Sequence, residues 1–258
     1  MSELDSKFIE VYCKVEDACK EITSIIASNR LKEPNSKKRN RPCRMADSEI
    51  ITILIMFHYG NFTCFKDYYK EHIGNHLKSH FPNLLSYSRF IQIQNRVAIP
   101  FMMFLKMNCL GKSTGINFID STALNVCRNQ RIHNHKVFKG LAKNILGKMF
   151  GDRGYISQSL ADFLWGNGIQ LITKLKKNMK VKNLSQWDSV LLRKRALIET
   201  VNYQLKNICK VQHTRHRSPN NFVLNLFGAL AAYSFFPKKP SLNIQFQPQL
   251  QSNQLLLA

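Results

Sequence analysis

The chain is 258 residues long, enough for one large domain or two small ones, and its 44% hydrophobic and 21% charged content are ordinary for a globular protein. Its charge is not: 38 Lys and Arg face 16 Asp and Glu, a net +22 with a pI near 9.9. That surplus predicts a polyanionic partner, nucleic acid ahead of an anionic membrane surface or a ribosomal-type scaffold, and no small-molecule substrate is expected. Seven scattered cysteines (Cys13, Cys19, Cys43, Cys64, Cys109, Cys127 and Cys209) form no C-x-x-C pair. This argues against a zinc ribbon or a disulfide framework and predicts free thiols in a reducing, cytoplasmic compartment. The opening MSELDSKFIE is too polar for a signal peptide. The best membrane candidate, 222-FVLNLFGALAAYSFF-236, has fifteen residues with Asn225 inside it. About 20 are needed to cross a bilayer, so it predicts a buried helix and no membrane partner.

In chain order, Phe8, Val11, Val15, Ala18, Ile22 and Ile25 recur every three or four residues and predict an amphipathic helix over 3–28. A basic linker follows at 30–44, readable either as a solvated loop or as an arm in which Lys37, Lys38 and Arg39 meet DNA phosphates. Asp47 or Ser48 is placed to cap a helix over 49–59. Residues 61–110 read as further helices, broken near Phe81-Pro82, capped again at Ser86 or Ser88, and divided at Pro100. Residues 1–110 are therefore expected to form an all-α unit with room for a helix-turn-helix.

The texture changes at Gly111. Three short apolar runs, 116-INFID-120, 145-ILGKMFGD-152 and 168-GIQLITKL-175, predict buried strands, and 157-SQSLADFLWGNG-168 predicts a capped helix between the last two. A long amphipathic helix is predicted over 189–210, then a last helix over 219–236 started by Ser218 and Pro219. Strand and helix in alternation argue for an α/β domain over 111–239, followed by a loose Gln-rich tail, 240–258.

The second domain is poor in acids, with Asp120, Asp152, Asp162, Asp188 and Glu199 among many basic residues. Asp120 and Asp152 both end apolar runs, and the C-terminal ends of strands are where α/β sheets place their sites. Glu199 shares a polar stripe with Arg195, Asn202 and Lys206, while Leu197, Val201, Leu205 and Ile208 mark another face. Three converging carboxylates can hold two Mg²⁺ or Mn²⁺ ions, hard cations that prefer oxygen. Two metals about 4 Å apart clamp the attacking and leaving oxygens of a phosphodiester displacement. Each acid also has an ordinary structural reading: Asp120 as a cap, Asp152 as a turn residue between Gly151 and Gly154, Glu199 as half of a surface ion pair with Arg195. Spacing by itself leaves both readings open.

Longer blocks carry a resemblance: 84-LLSYSRFIQ-92, 117-NFIDST-122, 131-RIHNHKVFKG-140, 151-GDRGYI-156, 169-IQLITKLKKNMK-180, 193-RKRALIETVNYQLKNIC-209 and 215-RHRSPNNF-222. In kind and order they resemble bacterial insertion-sequence transposases of the DDE type, most closely insertion-sequence family 982. The Arg-x3-Glu-x6-Lys spacing of Arg195, Glu199 and Lys206 is similar to the Tyr-Arg-Glu-Lys signature of related transposases, with Leu192 where that signature has Tyr. The resemblance implies an α/β, RNase H-like catalytic domain behind an all-α helical DNA-binding region. It implies Asp120, Asp152 and Glu199 as the catalytic residues and as ligands of two Mg²⁺ or Mn²⁺ ions. It also implies DNA cleavage at the ends of the element and joining of the freed 3′-hydroxyl to target DNA. A homo-oligomer would pair the two ends, in a bacterial cytoplasm and associated with the nucleoid. Arg195, Lys206, Arg215 and Arg217 are the DNA contacts expected in this domain, whereas His133 and His135 read as phosphate contacts or solvated residues rather than metal ligands.

One spacing departs from that family's fold. RNase H-like sheets carry the first Asp on strand one and the second on strand four, with two antiparallel strands and a helix between. Here 31 residues (121–151) separate Asp120 from Asp152, and 24 (121–144) once the second apolar run is set aside. That is too few for two strands, a helix and their connections. The chain passes straight from HKVFKGLA to KNILGKMFGDRGY, so an in-frame internal deletion is expected, with a sheet lacking its central strands. Two outcomes follow: a working DNA transposase, or a catalytically inactive remnant that only binds DNA.

Overall fold

Apolar spacing builds the first core. In the computed structural model, which describes residues 3–28, 43–111, 116–120, 147–174, 184–212 and 218–241, helix α1 (Glu3–Ser28) buries Phe8, Val11, Val15, Ala18 and Ile22 along one face. Phe8, Val11, Val15 and Ile22 each contribute roughly 1.5–3 kcal/mol when fully buried. Helix α2 (Asp47–Tyr59) is buried at Ser48 and at every position from Ile50 to His58, and it packs against α1. A helix apolar all round has to be central. Its N-cap is Ala46, one residue earlier than the sequence suggests: Ala46 is extended, and the Glu49 carboxylate accepts its backbone N–H at 2.6 Å. Asp47 then falls in the first turn, where it pairs with Arg96.

Helix α3 (Phe65–Asp67) runs into a π-helical stretch, Tyr68–His76, and the break near Phe81 is where the sequence places it. Ser86 caps α4 (Tyr87–Ile93), accepting from the Arg89 backbone N–H at 3.4 Å. Pro100 does not divide the next segment. It lies in the first turn of α5 (Ala98–Phe104), where no helical N–H partner is lost, and the interruption is a 3₁₀ turn at Gln94–Val97.

The sheet is small, three parallel strands in the order β1 (Ile116–Phe118), β2 (Gly147–Gly151), β3 (Ile169–Thr173). Helix α6 (Gln158–Gly166), capped by Ser157, makes the crossover from β2 to β3, and Gly168 at φ 75° turns the chain into β3. Helix α7 (Gln186–Lys194) lays Leu191 and Leu192 on Phe150 and Ile172. The single helix expected over 189–210 is instead two helices and a π turn: α7 starts early because Ser185 caps it, accepting from the Asp188 N–H at 3.0 Å. It ends at Arg195–Ala196, where hydrogen bonds from Ile198 to Arg195 and from Glu199 to Ala196 tighten the turn. Helix α8 (Leu197–Tyr203) and a π turn (Gln204–Ile208) follow.

The last helix, α9 (Pro219–Ser234), was read with the α/β domain, yet it packs against α2, and Leu224, Ala231 and Ala232 enter the core formed by α1, α2 and α5. Gly228 makes the approach possible, because a Cβ there would lie 2.8 Å from the Leu54 carbonyl oxygen and 2.9 Å from His58 Cδ2. Buried His58 donates from Nδ1 to the Cys209 carbonyl at 2.6 Å, and Asn225 donates to the Val211 carbonyl at 3.1 Å. The helical core thus grips the chain just beyond α8. None of the six described cysteines is bonded to another, and burial pushes the Cys209 thiol up to about 12. No described helix is long and apolar enough to cross a membrane.

Gly228→Ala is expected to cost about 1–3 kcal/mol, because the clash is with backbone and a buried ring that cannot swing away. The measurement is the denaturant midpoint. Gly166→Ala, where the added Cβ meets nothing within 4 Å, is expected to leave it unchanged or raise it slightly, by up to about 1 kcal/mol of helix stability.

Candidate active site

The site starts from strand register. Phe118 pairs with Phe150, and the Ile119 N–H continues the ladder to the Phe150 carbonyl at 3.0 Å. Continued two residues past this pair, the register would bring the chain to Asp120 on one strand and Asp152 on the other, beyond the C-terminal ends of adjacent parallel strands, which lie about 4.8 Å apart. Gly151 keeps the gap narrow, since a Cβ there would sit 3.2 Å from Ile119 Cγ2. Asp152 is exposed and turns Oδ1 back to accept the Arg153 N–H at 2.6 Å, capping a 3₁₀ turn over Arg153–Tyr155. The turn-forming role is therefore the one its hydrogen bond shows.

Helix α8 supplies the third acid. Asn202 Nδ2 donates to Asp120 Oδ2 at 3.1 Å. Arg195 lies between two acids: Nη1 is 3.9 Å from Asp120 Oδ1, and Nη2 is 3.6 Å from Glu199 Oε1. The three side chains differ in exposure, 24% for Asp120, 17% for Arg195 and 64% for Glu199. The Asp120–Arg195 pair is accordingly the stronger one. The Glu199–Arg195 pair, exposed and one helical turn apart, is worth only about 0.3–0.5 kcal/mol. Of the polar stripe Arg195, Glu199, Asn202 and Lys206, Arg195 and Asn202 meet Asp120, and Glu199 meets Arg195.

Other expected residues fare differently. Leu192, where the related signature has Tyr, is buried on the sheet and contributes packing. Lys206 is half-buried in the π turn after α8. Lys37, Lys38, Arg39, Arg215, Arg217, His133 and His135 lie outside the described residues. Asp188, one acid among five in the sequence, proves to be a clamp: Lys148 of β2 donates to both of its oxygens, at 2.8 and 3.1 Å, and so ties α7 to the sheet. Its place three residues after the cap Ser185 was the available signal.

Among the described residues, no group of three or more His, Cys, Asp or Glu side chains is gathered closely enough to hold a metal ion. The donor set nevertheless suits a hard divalent cation. The three acids are all carboxylates, and a positive charge already stands between Asp120 and Glu199, with Arg195 Nη1 shut off from solvent and without a hydrogen-bond partner among the described residues.

Residues 110–144 and 140–219 match the family described as Transposase DDE domain. Together the two segments span less than half of the chain, and they take in the sheet, Asp120, Asp152, Arg195, Glu199 and Lys206. The match supports a DDE transposase. No curated protein and no solved structure matches the chain.

Asp188→Ala is expected to destabilise the protein by about 2 kcal/mol, since it strands Lys148 and removes charge-assisted hydrogen bonds across the sheet. Asp162→Ala, at an exposed position of α6, is expected to stay within about 0.5 kcal/mol. Chemical unfolding of the two variants side by side measures the difference.

Proposed function

We propose that the chain is a DNA transposase of the DDE type, of the kind found in insertion-sequence family 982, that cleaves and joins DNA at insertion-sequence ends. The observation that supports this reading is the Arg195 guanidinium, 3.9 Å from Asp120 and 3.6 Å from Glu199, beside a parallel strand pair whose register leads to Asp120 on one strand and Asp152 on the next. A parallel β1-β2-β3 order is also what an RNase H-like sheet retains when the antiparallel strands between its first two acids are missing. Residues 1–110 would act as the DNA-binding region and 111–239 as the catalytic domain.

Asp120, Asp152 and Glu199 would hold Mg²⁺ or Mn²⁺, which when bound lowers the pKa of water and neutralises charge on the phosphodiester. The chain's own residues do the rest. Asn202 orients the Asp120 carboxylate, and Lys206 with the basic surface holds the phosphate backbone. Water cuts the strand, and the freed 3′-hydroxyl then attacks target DNA. A homo-oligomer would align two ends, and the bacterial nucleoid is the natural location. The +22 charge supplies sequence-independent attraction that weakens as salt displaces it from the phosphates.

A second reading, a remnant that binds DNA without cutting it, is favoured by a specific observation. Only residues 119–146 join β1 to β2, and the family match falls into two segments that meet at 140–144 within that join. The two readings separate in one assay with purified protein, labelled element-end DNA and Mn²⁺. Transposase activity requires salt-sensitive binding together with cleavage that disappears in Asp120→Asn. Binding without cleavage establishes the remnant, and absence of DNA binding at low salt sinks both.

A further inference from the structure

Arg195 was expected to touch DNA, yet its side chain is 17% exposed and points between two carboxylates. A guanidinium that recognises a phosphate or carboxylate normally does so with paired hydrogen bonds of about 2.7–2.9 Å. Here its approaches are 3.9 Å to Asp120 and 3.6 Å to Glu199, and Nη1 is buried with no hydrogen bond among the described residues. The group is held by charge rather than by directed bonds, so another cation can replace it without breaking a hydrogen-bond network. Asn202 meanwhile keeps the other oxygen of Asp120 oriented whichever cation is present.

We propose that Arg195 is the internal counter-ion of the acid site: its guanidinium fills the space between Asp120 and Glu199 that a divalent cation takes, and it leaves that space when the cation binds. Arg195 is thus a positioning residue. It keeps the acids from repelling one another in the metal-free protein, and it is freed toward DNA phosphate only in the metal-bound one. This rests on Asp120 and Glu199 belonging to one metal-binding set, but not on whether DNA is cut.

The test is Mn²⁺ binding to the full chain without DNA, followed by water proton relaxation. Arg195→Met is expected to bind Mn²⁺ at least about tenfold more tightly than wild type, because a charge competing at about 4 Å is gone. Arg195→Lys, which keeps the charge, is expected to stay near wild type. Glu199→Gln added to Arg195→Met is expected to abolish the gain. Equal or weaker binding by Arg195→Met, or a gain that survives Glu199→Gln, overturns the proposal. A readout on the wild-type protein covers any variant that fails to fold: phenylglyoxal should modify Arg195 slowly without metal and several-fold faster with saturating Mn²⁺. Unchanged or slower modification also overturns it. Tighter Mn²⁺ binding with no DNA cleavage leaves the counter-ion in place and removes the active-transposase reading; cleavage with no effect of Arg195 does the reverse.

Discussion

The pairing of Phe118 with Phe150 is the constraint from which the site follows. Side chains alternate along a strand, so a slip of one residue would carry Asp120 to the opposite face of the sheet from its present partners. Packing on the α7 face holds the register. Phe118 and Phe150 meet at a tilt of 39° with ring centroids 5.8 Å apart, and Leu191 and Leu192 of α7 join Phe150 in one buried cluster. Lys148 on β2 anchors α7 through Asp188, which binds the helix leading to Arg195 to the strand leading to Asp152.

Glu199 is positioned from the other direction. Helix α8 has no buried residue of its own, so its place depends on what grips its ends. Arg195, just before its start, and Asn202, near its end, attach it to Asp120. Past its end, His58 holds Cys209 and Asn225 holds Val211, within a core that α9 shares with the first helices. The acid site is therefore a joint between a small sheet and a large helical core. Arg195 stands where the two meet, 3.9 Å from Asp120 and 3.6 Å from Glu199.

What the sequence made legible followed from local patterns. The spacing from Phe8 to Ile22 identified α1, the apolar runs ending at Asp120 and Asp152 identified the strand ends, and Ser157 identified the start of α6. What escaped was decided by tertiary contacts. The periodicity of 189–210 continues across Arg195–Ala196, so nothing local marks the break between α7 and α8. Ala46 offers no capping side chain, which hid the true start of α2. An apolar helix such as α9 does not announce its partner; Gly228 against Leu54 and His58 decided that. The stripe of Arg195, Glu199 and Asn202 was visible, but an arginine on a polar stripe reads as outward-facing, and only the position of Asp120 turns it inward.

The most direct measurement is a double-mutant cycle in chemical unfolding between Asp120→Asn and Arg195→Met. If Asp120 and the start of α8 meet as described, the two changes are expected to be non-additive by about 0.5 kcal/mol or more, the double variant losing less than the sum of the singles. Additivity within about 0.3 kcal/mol would mean that the two side chains do not share a site, and it would contradict the arrangement on which the acid centre is built.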